Sequence, residues 1–423
     1  MKLCSASRTH VSRIVSIILL LGMMIGSILI GEMSAWTGKA QATSDAASIG
    51  GCPLFPSNNI WNHDISTLPV HHNSANFINS IGITGHVHAD FGAGLWAGGP
   101  IGIPYIVVPG SQPKVPVSFT YASESDRGPY PIPANAPIEG GPQSSGDRHV
   151  IVVDSGTCNL YEMYAGYPQQ NGSWKAGSGA VWNLNSNALR PSTWTSADAA
   201  GLPILPGLAR YDEVASGVIT HALRFTVSRS QSAFLWPARH SAASSTNSNL
   251  PPMGLRLRLK ASFNISSFSP QNRVILAALK RYGMIVADNG SSWYISGAPD
   301  NRWNNNDLHA LGSITGSDFE VVDESSLQVG ANSGQAGSSP VVTPTHPPTA
   351  TPTKNAVISL VPLPTDTPTK AEETLTKGVA SQHGGIFGGA GNGALFFMVG
   401  VLGVVLTLVV VFWGRYMRKR RVT

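Results

Sequence analysis

The sequence predicts a mainly β protein: a single large β-sandwich or jelly-roll-like ectodomain with a few short helices, followed by one C-terminal transmembrane helix. Three observations predict it. Charged residues make up only 12% of the 423, alongside 45 Gly and 30 Pro, whereas globular domains carry about 25% charge. Strand-length apolar segments recur between Gly, Pro, Ser and Asn. Near the C-terminus, an uncharged apolar run is long enough to cross a bilayer. The low charge also disfavours a coiled coil, a helical repeat or a charge-driven disordered chain.

Residues 1–42 read as a signal peptide. Lys2, Arg8 and Arg13 form a basic start, residues 14–30 are apolar and uncharged, and Ala40-Gln41-Ala42 offers the small residues that signal peptidase prefers. An uncleaved signal anchor is the alternative.

Residues 50–323 form the expected extracellular β-rich domain. They hold 16 basic and 17 acidic residues, so the net charge of +5 comes from the chain ends. A neutral body lacks the electrostatic footprint of a nucleic-acid binder. No linker interrupts it, which argues for one domain. Strands are expected at 103–108, 117–121, 149–154, 160–164, 180–184, 222–227, 233–236 and 255–259. Two more, at 284–288 and 292–296, bracket Asn289-Gly290, whose tolerance of positive φ predicts a hairpin. One clear helix is expected after Ser269-Pro270, a cap followed by a first-turn proline, and before Gly283. A second, short helix is expected near 198–202.

Residues 324–393 read as a Thr/Pro/Gly-rich stalk, too polar and too Pro-rich to bury a core. Residues 394–413 carry no charge and at helical rise span about 30 Å, the thickness of a hydrocarbon core. Arg415, Arg418, Lys419, Arg420 and Arg421 follow in the 414–423 tail. The positive-inside rule places that tail in the cytoplasm and the body outside, giving a single-pass cell-membrane protein. Cys4 lies in the signal. Cys52 and Cys158 remain, an even pair for a disulfide in an oxidising setting, with two buried thiols as the alternative.

Three stretches carry a resemblance: GDRHVIVVD (146–154), WTSADAAGLPILPG (194–207) and residues 282–297. Together they resemble a family of secreted bacterial proteins to which no activity is assigned. The resemblance implies an intact extracellular domain and brings no catalytic residue or substrate with it.

Candidate chemistry comes from the residues themselves. His86, His88 and Asp90 alternate, so on a strand they share a face. Two imidazoles and a carboxylate suit a divalent metal, although a polar loop beside Gly82, Gly85 and Gly92 is the favoured account, since short H-x-H patterns are common by chance. No cofactor is otherwise implied. His149 opens one expected strand and Glu162 lies in the next. If the two pair, an imidazole and a carboxylate approach each other, as general acid–base work requires. Glu139 precedes them in a stiff loop, and Glu139 with Glu162 is the carboxylate pair to test for glycoside hydrolysis. Arg239 and His240 are candidates for contact with an acidic sugar, and His221 and Arg224 form a related set. Among ten Trp, Trp182 represents those whose apolar face would take a sugar ring. No H-E-x-x-H, G-x-S-x-G or Walker A motif occurs. The expectation is a membrane-anchored extracellular glycan hydrolase or lyase. The alternative is a non-catalytic glycan-binding module or adhesin.

Overall fold

The computed structural model describes residues 47–338. The expected signal peptide, the stalk beyond residue 338, the 394–413 segment and the basic tail lie outside the described residues. Among the described residues, no helix is long and apolar enough to cross a membrane.

Ten strands make the two larger sheets. In chain order they are β1 (His88–Asp90), β2 (Tyr105–Val108), β3 (Val150–Asp154), β4 (Asn159–Tyr164), β5 (Ser178–Asn183), β6 (Leu223–Val227), β7 (Arg256–Leu259), β8 (Met284–Asn289), β9 (Tyr294–Ser296) and β10 (Phe319–Val321). The first sheet runs β5-β4-β3-β2 and the second β10-β7-β8-β6-β9-β1. A three-stranded sheet and two two-stranded pairs complete the sheets of the described residues.

The sandwich or jelly roll expected above is therefore corrected. The fold is mainly sheet with few helices, but its sheets are small and mix directions. Within the two larger sheets, β2 pairs parallel with β3, β6 parallel with β8, and β9 parallel with β1, while the other pairings are antiparallel. A jelly roll is built from antiparallel strands, and a sandwich leaves one face of each sheet in water. Here all five residues of β3 and all four of β7 are buried, so these strands are covered on both faces. Apolar patterning reports which residues leave water. It does not report which strands become neighbours.

Local signals fared differently. The Pro270–Arg281 helix starts as expected, with the Ser269 side chain accepting from the Asn272 N–H, and Gly283 follows at φ 67°. The expected 289–290 hairpin is absent as a pairing: β6 lies between β8 and β9 and bonds to both. Residues 233–236 contribute only a single bridge, Phe234 to Met253.

The described fold continues past residue 323. The Glu324 carboxylate accepts from Arg256 Nη1 at 2.8 Å, and Leu327 is fully buried. Arg239 donates to the Ala331 carbonyl and to Asn332 Oδ1, and the Trp236 indole donates to the Ser333 carbonyl. Cys52 and Cys158 form a disulfide across 106 residues, with Cα atoms 5.3 Å apart. It ties the N-terminal segment to the turn between β3 and β4.

Candidate functional site

Register brings the site together. Val150 of β3 faces Met163 of β4, and Tyr164 at the end of β4 faces Ser178 at the start of β5. Asp147, Tyr164 and Ser178 therefore gather at one end of the first sheet. The Asp147–Arg148 segment is tied there: Ala165 N–H donates to the Asp147 carbonyl at 2.8 Å and Gly166 N–H to the Arg148 carbonyl at 3.1 Å. Three non-glycine residues nearby, Arg148, Ala165 and Thr193, have positive φ. Such strain persists only where the surroundings enforce it, and it concentrates at functional sites.

A cleft of about 410 Å³ opens at this end, lined by Tyr121, Glu124, Asp147, Tyr164, Ser178, the 195–199 loop, His240, Ala242, Asp288 and Asn289. Asp288 comes from the second sheet. Between Phe225 and Thr226 the β6/β8 register slips, so that Phe225 faces Val286 and Thr226 faces Asp288. Such bulges re-aim side chains. Asp288 accepts one hydrogen bond, from the Asn289 N–H at 2.6 Å, and pairs with no cation among the described residues. Burial, and then the neighbouring Asp198 charge, push its carboxyl up to about 7 against the opposing pull of Arg224 and His149.

Beneath the cleft lies a buried polar layer. Asp198 takes Arg224 Nε and Nη2 at 3.0 and 2.8 Å, and Arg224 Nη1 donates to Ser296 Oγ at 2.5 Å. His149, 2% exposed, places Nδ1 2.6 Å from Glu139 Oε2 and Nε2 3.0 Å from the Ala197 carbonyl. Both neighbours are acceptors, so both ring nitrogens donate and the ring is an imidazolium. Burial alone would lower its pKa. The Glu139 charge and hydrogen bond override that and raise it to about 9. Burial likewise pushes Glu139 up, but His149 holds it below the usual carboxylate range.

The expected site residues fall in different places. His149 finds its carboxylate in Glu139, whereas Glu162 sits fully buried elsewhere in the core. Its oxygens accept from the Ile204 N–H at 2.9 and 3.0 Å and from the Leu205 N–H at 2.9 Å. Burial pushes Glu162 up to about 7 despite those donors. Glu139 and Glu162 thus do not face each other across an open cleft: one braces His149 and the other braces the 204–205 backbone. Trp182 is a buried β5 residue, and Arg190 lies 5.6 Å from its ring centre. Arg239 is 6% exposed, its guanidinium bonded to Arg190, Ala331 and Asn332. His240 does reach the cleft, with Nδ1 2.8 Å from the Ala199 carbonyl. His221 is buried against Glu213.

His86, His88 and Asp90 are not gathered as a ligand set. His86 Nδ1 bonds to the Gly312 carbonyl, and His88 packs on Tyr294 with ring centres 4.2 Å apart. Among the described residues, only Glu139, Asp147 and His149 bring three ligand-type side chains within 4.8 Å of one another. There the imidazolium has no lone pair to offer, because both nitrogens already carry protons, so this trio reads as an ion pair with Asp147 at its edge.

Asp288 is the residue that sequence reasoning missed. Its only signal was an acidic residue at the end of a buried apolar strand. The bulge that aims it depends on a strand more than fifty residues earlier. Comparison with protein-family models, curated proteins and solved structures returns no match, so the chemistry is read from this geometry.

Proposed function

We propose that the cleft is the active site of an exported carbohydrate-cleaving enzyme. The observation that carries this reading is the convergence of Asp288, on β8 of the second sheet, and Asp147, in the loop leading into β3 of the first, on one cavity that also presents His240, hydroxyls and tyrosines. Titratable groups meeting in a cleft distinguish an enzyme from a shallow binding face. The Asp288 carboxyl, protonated up to about neutral pH, acts as general acid. It passes its proton to the glycosidic oxygen as the bond from that oxygen to the anomeric carbon breaks. Asp147, exposed at the rim, takes a proton from the water whose oxygen adds to the anomeric carbon. Glu139, His149, Asp198 and Arg224 act as positioning residues that hold the cleft floor. The disulfide supports export, since such bonds persist in oxidising compartments.

The test is release of reducing ends from a polysaccharide panel by the purified protein and its Asp288→Asn variant. We expect the variant to lose about a hundredfold or more of any turnover. Wild-type turnover should also fall as pH rises through about 7, where Asp288 gives up its proton. Unchanged turnover in the variant removes Asp288 from the mechanism. Glycan binding without turnover in wild type leaves a non-catalytic binding module.

A further inference from the structure

Resting on the carbohydrate reading, the charge layout around the cleft assigns its substrate class: we infer that it accepts a neutral or amine-bearing glycan and rejects uronates and sulfated sugars. Recognition of an acidic sugar needs a free guanidinium or ammonium. Among the described residues, no Lys or Arg lines the cleft.

Four arginines lie one bond or one residue away, and each is engaged by protein acceptors. Arg148 donates to the carbonyls of Gly166, Pro142 and Ser144. Arg190 donates to the Thr195 and Glu124 carbonyls and to the Asp126 carboxylate. Arg224 is held by Asp198 and Ser296. Arg239 is clamped by Arg190, Ala331 and Asn332. Extracting any of these would leave buried carbonyls or a buried carboxylate without a donor.

What remains on the lining is acceptor-rich and aromatic. Asp147 and Glu124 line the cavity together with Asp288, which carries its charge only above about pH 7. Tyr121 and Tyr164, 53% and 36% exposed, offer rings against which a sugar face packs. A cleft with carboxylates on its wall concentrates cations and repels anions. Among the described residues, the lining offers no Lys or Arg to neutralise a uronate carboxylate, so β-elimination of acidic polysaccharides finds no support here and hydrolysis is the chemistry retained.

The experiment compares binding of three tetrasaccharides to the full-length protein by calorimetry below neutral pH: N-acetylglucosamine (neutral), glucosamine (cationic) and galacturonate (anionic). We expect the neutral or the cationic probe to bind at least about tenfold more tightly than the anionic one, the size one unfavourable charge produces at contact range. Asp147→Asn, at an exposed position, should narrow the cationic-to-anionic ratio by about tenfold. Tightest binding of galacturonate overturns the inference and leaves the carbohydrate reading standing, and so does a ratio that Asp147→Asn fails to move. Failure of all three probes to bind overturns both.

Discussion

The His149–Glu139 pair makes the sharpest prediction, because its energetics follow from two hydrogen bonds. Both ring nitrogens donate, so the folded protein holds a proton that the unfolded chain releases near 6.5, while in the folded state it leaves only near 9. A folded value above the unfolded one means stability that is fully present below about pH 6.5 and lost as pH rises through about 9. That gap corresponds to roughly 3 kcal/mol. Glu162 and Asp288 act earlier. Their folded values near 7 exceed ordinary carboxyl values, so their ionisation penalty grows up to about pH 7 and is then complete. The interval from about pH 7.5 to about 9 therefore isolates His149. Urea unfolding across that interval should show wild-type stability falling by about 1 kcal/mol per pH unit more than Glu139→Gln, which removes the charge that raises the imidazole. Below neutrality the variant should be less stable by about 3 kcal/mol, the cost of breaking a buried pair. Equal slopes for the two proteins would refute the assignment of a buried imidazolium.

Other perturbations test the scaffold. Ending the chain after residue 323 should cost about 3–5 kcal/mol relative to ending after 338, because Arg256 loses Glu324 while remaining buried; comparing the unfolding midpoints of the two fragments measures this. Replacing Cys52 and Cys158 with Ser should lower stability by up to about 4–5 kcal/mol through the loop-entropy effect, read by denaturant unfolding. Gly99→Ala would set a Cβ about 2.0 Å from the Gly140 backbone, so the loop carrying Glu139 must shift, and soluble yield or melting temperature should drop sharply. Asp288→Asn should raise the melting temperature at alkaline pH and not at acidic pH, since it removes a carboxylate whose ionisation burial opposes.

Much of the strand content was legible because backbone and burial are local. The apolar runs at 149–154 and 255–259 lie within a residue or two of β3 and β7. Ser269, Pro270 and Gly283 marked helix ends, because capping is chemistry between near neighbours. The even cysteine pair was legible as well, and geometry then made it a disulfide. His149 and Glu139 both stood out as chemistry-bearing residues, but not as each other's partners. Arg239, a cation beside a Trp-Pro turn, looked like a ligand contact, but the Ala331 carbonyl and the Asn332 side chain hold its guanidinium.

The sequence by itself determined which segments leave water, where the chain turns and which side chains can carry charge, since each depends on a residue and its immediate neighbours. Only the tertiary structure decided which strands pair, which carboxylate meets His149 and that a bulge turns Asp288 into the cleft. Those outcomes depend on contacts between residues far apart in the chain, and a charged side chain looks the same in sequence whether it is bonded in the core or open to a ligand.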